Sequence, residues 1–259
     1  MQARYPACHD EAMTVVLVHG NPETDAIWGP LVAALGRDDV VRLSPPGFGA
    51  PLPDGFSATF VEYRDWLERE LEGIDDPVDL VGHDWGGITV INAMMHRPEL
   101  VRTWVTDAVG IFDADYVWHD MAQLWQTPGA GEELIDAMMS GTIGERADQL
   151  AELGISHDIA VELAAALNDE MGEAILRLYR SATQPAMAHA GRSLEAAAAR
   201  PGLLILATED EYMGSPALRR RAAGRAGART EELEGLGHWW MTEDPERAAD
   251  VLARFWASS

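Results

Sequence analysis

The chain reads as an α/β protein: a doubly wound, mostly parallel sheet with a helical segment inserted between its two halves. Three observations predict it. Short apolar runs without polar alternation, such as Thr14–Val18 and Leu203–Ala207, read as strands buried on both faces. They alternate with amphipathic helical patterns, the usual way a parallel sheet connects its strands. From about Gly110 to Pro201 strands vanish and Ala, Leu, Met and Glu recur at helical spacing. The return to strand at Leu203 favours an insertion over a separate helical domain. The expected division is a core of residues 1–110 and 201–259 and a helical cap of residues 111–200.

Each element follows in order. Thr14–Val18 delivers His19-Gly20-Asn21-Pro22 from its carboxyl end. Ile27, Leu31, Ala34 and Leu35 give Ala26–Leu35 a helical stripe, and Val40–Leu43 makes a short strand. Ser44-Pro45-Pro46-Gly47-Phe48-Gly49 is a stiff loop. Phe60, Tyr63, Trp66, Leu67 and Leu71 place a helix over Thr59–Leu71, lying on the sheet. The apolar run from Val78 ends in the tight turn Gly82-His83-Asp84-Trp85-Gly86, and a helix runs from about Ile88 to Met95. A strand passes through Trp104 and Val105 after Pro98. About five helices fill the insertion, among them Ile159–Leu167 and Met171–Tyr179, and Ala196–Ala199 closes the last. Beyond strand Leu203–Ala207 lie Thr208-Glu209-Asp210-Glu211, helix Pro216–Ala223, strand Thr230–Leu233, a loop carrying His238, and helix Pro245–Trp256.

Composition excludes several classes of partner. At 259 residues with 47% hydrophobic side chains, the chain can bury a large core. A net charge of −24 argues against nucleic acid and anionic membranes. No apolar run approaches the ~20 residues of a membrane span, and no basic-then-apolar signal pattern opens the chain. Cys8 is the single cysteine, so no internal disulfide is expected and a cytoplasmic location is the default. With His9 beside it, Cys8 reads as part of a polar tail and not as a reactive thiol. The eight histidines lack ligand spacing, so neither metal nor cofactor is expected. A homodimer is left open.

The chemistry concentrates at Gly82-x-Asp84-x-Gly86. Glycines on both sides let the chain turn sharply enough to push the middle side chain out at the top of a sheet. The plain alternative is a helix-capping aspartate. A carboxylate that attacks carbon forms an ester, and the ester then needs a general base for its hydrolysis.

Together with His19-Gly20-Asn21-Pro22 and Gly235-Leu236-Gly237-His238-Trp239, this turn resembles the α/β-hydrolase family over residues 1–110 and 201–259. The resemblance implies Asp84 as nucleophile, His238 as base, and the backbone N–H groups of Asn21 and Trp85 as the oxyanion hole. It implies a cis peptide before Pro22 and a structural role for His19. Family members spend more residues on leading strands, so the sheet is expected to lack one or two edge strands. Two acids are candidates to orient His238: Asp210, in the family's usual place, and Asp107, which some aspartate-nucleophile members use. Asp107 falls one residue short of that second place, and one residue flips a strand side chain to the other face, so Asp210 is preferred.

Two leaving groups dominate the look-alikes. Tyr179, in Leu176-Arg177-Leu178-Tyr179-Arg180, resembles the ring-opening tyrosine of epoxide hydrolases. His119, in Val117-Trp118-His119, resembles the second donor of a subgroup with a His–Tyr pair; Tyr116 and Tyr212 are substitutes. Asn21 with Trp85 resembles the halide-binding pair of haloalkane dehalogenases, and Trp125 offers a further indole N–H. Haloacids are disfavoured, because Trp85 and Ile88 stand where arginines would bind their carboxylate. The first reading is an epoxide hydrolase acting on a small hydrophobic substrate with water, the second a haloalkane dehalogenase. The third, of another class, is a catalytically idle fold that binds a small ligand. Trp118, Trp125, Trp239 and Trp240 are expected to wall an apolar cleft.

Overall fold

The structure, a computed structural model, describes residues 13–259. The readings of Cys8 and His9, and any strand before residue 13, lie outside the described residues. Within them a six-stranded, wholly parallel sheet has the order β2-β1-β3-β4-β5-β6. The strands are β1 Thr14–Val18, β2 Val40–Leu43, β3 Val78–Gly82, β4 Thr103–Thr106, β5 Gly202–Ala207 and β6 Ala228–Leu233. From β1 the chain moves outward to β2, then crosses back to place β3 on the other side of β1. The order reverses between β1 and β3, so the loops leaving their carboxyl ends diverge and open a crevice.

Strand alternation sorts the core into two layers. Val16, Val18, Leu80, Leu204 and Leu206 face one side, packed under α2 (Phe60–Glu72), α3 (Trp85–His96) and α10 (Pro216–Arg225). Val15, Leu17, Val81, Leu203 and Ile205 face the other, under α1 (Gly29–Leu35) and α12 (Pro245–Ala257). Every residue of β3 is buried, which accounts for its unalternating sequence.

Between β4 and β5 lie α4 (Asp120–Gln126), α5 (Ala130–Met139), α6 (Ile143–Glu152), α7 (His157–Ala166), α8 (Asp169–Ser181) and α9 (Ala186–Ala190), then a 3₁₀ stretch, Gly191–Ala199. Their apolar faces divide. Trp125, Ile135 and Met171 join the first layer, while Ala147, Leu150 and Leu163 join the second. The segment therefore straddles the two layers instead of forming a core of its own.

Local differences from the sequence reading have local causes. The helix expected over Ala26–Leu35 is a 3₁₀ turn, Asp25–Trp28, followed by α1, with Pro30 in its first turn where a missing N–H costs nothing. The helix after the tight turn begins at Trp85 and not near Ile88, because Asp84 itself is its cap. Ala196–Ala199 ends a 3₁₀ stretch. The Asn21–Pro22 peptide is cis as expected; Gln184–Pro185 is also cis, which no sequence signal foretold. No helix among the described residues is long and apolar enough to cross a membrane.

Candidate active site

The turn between β3 and α3 stands at the crevice beside the end of β1. Asp84 has φ 49° and ψ −121°, a strained conformation for a residue with a side chain, costing about 1–3 kcal/mol. The neighbouring backbones close in around it. A Cβ on Gly86 would lie 2.0 Å from the Val18 carbonyl oxygen, and one on Gly20 would lie 2.2 Å from Asp84 Oδ1. Gly86→Ala is therefore expected to cost about 3 kcal/mol or more, since two backbones must part. Gly29→Ala, with nothing within 4 Å, is the control, and urea unfolding midpoints compare the two.

The Asp84 carboxylate is held in a defined pose. Asn21 N–H donates to Oδ1 at 3.1 Å, while Oδ2 lies 3.9 Å from His238 Nε2. On its other side His238 Nδ1 meets Asp210 Oδ2 at 3.2 Å. Asp210 is fixed in turn by the Tyr212 N–H at 2.9 Å and by the buried Arg219, 3.9 Å away. Arg219 also donates to the carbonyls of Ile205, Ala207 and Asp107, tying together the ends of β4 and β5. The row Asp84 carboxylate, His238 imidazole, Asp210 carboxylate is thus assembled from three separate loops.

Burial sets the charges. Removal from water raises the Asp84 carboxyl to about 6, against the pull of His238 and His83. Burial would also raise Asp210, but His238 and Arg219 outweigh it and hold that carboxyl well below its usual range. His238 is raised: burial opposes its charge, and the Asp210 and Asp84 carboxylates prevail. Asp84 is 5% exposed and lines a partly open cavity.

Asp107 serves a different partner. Its Oδ2 lies 2.6 Å from His83 Nδ1 and accepts from Trp240 Nε1 at 2.8 Å, while its Oδ1 accepts the Asp84 N–H at 2.9 Å. It braces the turn from below and has no hydrogen bond or ion pair with His238. Across His83, Nε2 lies 3.2 Å from Glu23 Oε1. Burial would discharge His83, but Asp107 and Glu23 outweigh it and raise its proton affinity well above normal. Glu23, which burial alone would raise, is brought down to about 2 by His83 and other neighbours. Sequence reasoning passed over Glu23 and His83; a carboxylate one residue past the cis proline and a histidine just before Asp84 were the available signals.

Asn21, Asp84, His119, Trp125, Tyr179, Tyr212, His238 and Trp239 line the cavity, whose empty volume is about 390 Å³. His119 Nδ1 accepts the Ala122 N–H at the start of α4, so a neutral ring carries its proton on Nε2. Burial and the nearby His238 lower His119 to about 4, which keeps it neutral at pH 7. Tyr179 is buried over Trp85, with ring centroids 5.1 Å apart. Its hydroxyl proton is held firmly, first by burial and then by the Asp84 charge. Asn21 Nδ2, Trp85 Nε1 and Trp125 Nε1 are buried donors; the first two stand near the Tyr179 hydroxyl without good hydrogen-bond geometry, and Trp125 Nε1 has no partner among the described residues.

Three expectations about aromatic residues need correction. Trp118 stacks on Trp85 and donates to the Ala182 carbonyl at 3.0 Å, behind the wall of the cavity. Trp240 donates to Asp107 beneath the turn, so of the four tryptophans only Trp125 and Trp239 line the cavity. The Tyr116 hydroxyl is engaged by the Tyr212 carbonyl at 3.0 Å, which removes it as a substitute donor. His19 is fully buried, with Nδ1 bonded to the Gly20 carbonyl, as a structural histidine would be.

A parallel sheet whose switch point presents an acid on a glycine-flanked turn, facing a carboxylate-backed imidazole, defines a hydrolase of the α/β-hydrolase fold. A family model described as the alpha/beta hydrolase family matches residues 15–251, and the chain belongs to that family. A haloalkane dehalogenase of Mesorhizobium japonicum is 27% identical over 273 residues, covering 95% of this chain and 83% of that protein. A cis-3-alkyl-4-alkyloxetan-2-one decarboxylase of Shewanella oneidensis is 32% identical over 105 residues, 38% of this chain and 33% of that protein. A solved haloalkane dehalogenase loop variant from Bradyrhizobium elkanii superposes with a TM-score of 0.73 at 21% identity, covering 96% of this chain and 92% of that one, a likeness of fold.

Proposed function

We propose that this hydrolase opens small apolar epoxides to diols through an ester on Asp84. The supporting observation is that Tyr179 and the neutral, Nε2-protonated His119 line the same cavity as Asp84. Ring opening needs a proton for the departing oxygen, and both groups can supply one. Asp84 Oδ2 attacks a ring carbon, that carbon's bond to oxygen breaks, and the alkoxide takes its proton from Tyr179 or His119. His238, oriented by Asp210, then removes a proton from water, and the hydroxide adds to the Asp84 ester carbonyl. The N–H groups of Asn21 and Trp85 hold the resulting oxyanion. As it collapses, the departing alkoxide takes the proton held by His238, the diol leaves, and the proton on the freed Asp84 carboxyl restores the donor of the first step. Residues 111–200 act as the cap that roofs this chemistry and closes it to water.

Haloalkane dehalogenation is the second reading. It is supported by the indole and amide donors on Trp85 and Asn21, which converge near the Tyr179 hydroxyl, by the unpartnered Trp125 indole, all of which suit a departing halide, and by the similarity to haloalkane dehalogenases. A terminal epoxide and a bromoalkane, assayed side by side for diol and for bromide, separate the two. A Tyr179→Phe/His119→Ala double variant is expected to lose about 10²-fold or more of epoxide turnover. Undiminished diol formation in that variant removes the proposed proton donors. Bromide release with no diol from the native enzyme transfers the case to dehalogenation.

A further inference from the structure

Beneath Asp84, two imidazoles and a carboxylate converge. A ring nitrogen of His83, one of His238 and a carboxylate oxygen of Glu23 all lie within 4.8 Å of one another. The rings sit 4.5 Å apart, centroid to centroid. Each histidine has its Nδ1 on a carboxylate: His83 on Asp107 at 2.6 Å, His238 on Asp210 at 3.2 Å. That is the arrangement that presents Nε2 as a ligand in zinc sites. Glu23 is immobilised by N–H donors from Gly20 to Oε2 at 2.9 Å and from Trp239 to Oε1 at 2.6 Å, which leaves a lone pair on Oε2 and a second on Oε1 once the His83 proton is displaced. His83 Nε2 is fully buried and faces Glu23 Oε1 at 3.2 Å, so an arriving ion takes the place of the proton that now pairs them.

We propose that Glu23, His83 and His238 form a binding site for a divalent transition ion of the zinc type, and that its occupation silences the hydrolase. Imidazole nitrogens and one carboxylate suit such an ion, whereas magnesium and calcium prefer all-oxygen sets. With bonds of about 2.0–2.1 Å, tetrahedral ligands stand about 3.4 Å apart, so the three atoms need to close by roughly 1.5 Å at most. Four buried carboxylates, on Glu23, Asp84, Asp107 and Asp210, surround the two imidazoles and favour a cation there. Asp84 Oδ2 lies 3.9 Å from His238 Nε2 but outside the cluster, so a water completes the coordination of an ion held by the three residues. The silencing rests on the proposed mechanism: a coordinated His238 has no lone pair left to take a proton from water.

The test uses the full chain, stripped by a chelator and titrated with zinc chloride, with cobalt(II) as a spectroscopic substitute. One ion per chain, the visible bands of tetrahedral cobalt, and no competition from millimolar magnesium are expected. Glu23→Gln should weaken zinc at least about tenfold, and Asp210→Asn by about 10–100-fold through the ring it backs. Absence of binding, or affinity unchanged in both variants, overturns the site. Should the variants fail to fold, X-ray absorption on the zinc-loaded native protein decides: two imidazoles with carboxylate oxygen support the site, and fewer than two imidazoles overturn it. Full hydrolytic activity in the loaded protein overturns the silencing. These binding readouts need no substrate, so they stand even if the proposed reaction fails.

Discussion

Exposure of a His238→Gln variant to substrate is expected to leave a covalent adduct on Asp84, detected as a mass increase on the peptide that carries Gly82–Gly86. In the proposed reaction the carboxylate performs the first step without the base, because Oδ2 is already held toward the cavity while Asn21 N–H anchors Oδ1. Hydrolysis of the ester does need the base, so the intermediate accumulates and steady-state turnover falls by about 10²–10⁴-fold. For an epoxide the added mass equals the whole substrate; for a haloalkane it equals the alkyl group less one hydrogen. The same spectrum therefore distinguishes the two leaving groups. A catalytically idle fold that merely binds its ligand shows no adduct, and that result would sink the covalent mechanism for both.

Asp84→Asn is expected to abolish turnover while stabilising the fold. The amide lacks the anionic oxygen that attacks carbon. Its stability gain follows from burial, which raises the Asp84 carboxyl from 3.8 to about 6. A carboxyl raised in the folded state contributes stability that is fully present below its unfolded value and is lost as pH climbs through about 6. A rise of that size corresponds to about 3 kcal/mol in order of magnitude. The variant should thus match the native protein near pH 4 and exceed it at pH 7–8, by roughly 6–12 °C in melting temperature for a chain of this size. A melting difference independent of pH would mean that the charge on Asp84 carries no such penalty.

What the sequence disclosed followed from short-range physics. The strands were legible because β1, β3 and β5 are buried on both faces and so carry unbroken apolar runs. The turn at Asp84 was legible because its glycines answer a steric demand confined to a few residues. The choice of Asp210 over Asp107 rested on a resemblance and on strand register; in the structure Asp210 stands against His238 and Asp107 against His83. Less legible was whatever depended on distant partners. Glu23 and His83 are 60 residues apart, and nothing in either neighbourhood announces a buried ion pair. The expectation for Trp118 and Trp240 failed for the same reason, since an indole's hydrogen-bond partner decides which way the ring is turned. The protonated nitrogen of His119 became readable only once α4 supplied an N–H to the other.

The 3.9 Å gap between Asp84 and His238 has a kinetic consequence. While the carboxylate is free, its charge helps keep the imidazole protonated and hence inert toward water. In the proposed reaction, alkylation cancels that charge, and the imidazole's grip on its proton loosens at the moment a base is called for. The intermediate thereby arms its own hydrolysis, and the resting enzyme is spared an idle base.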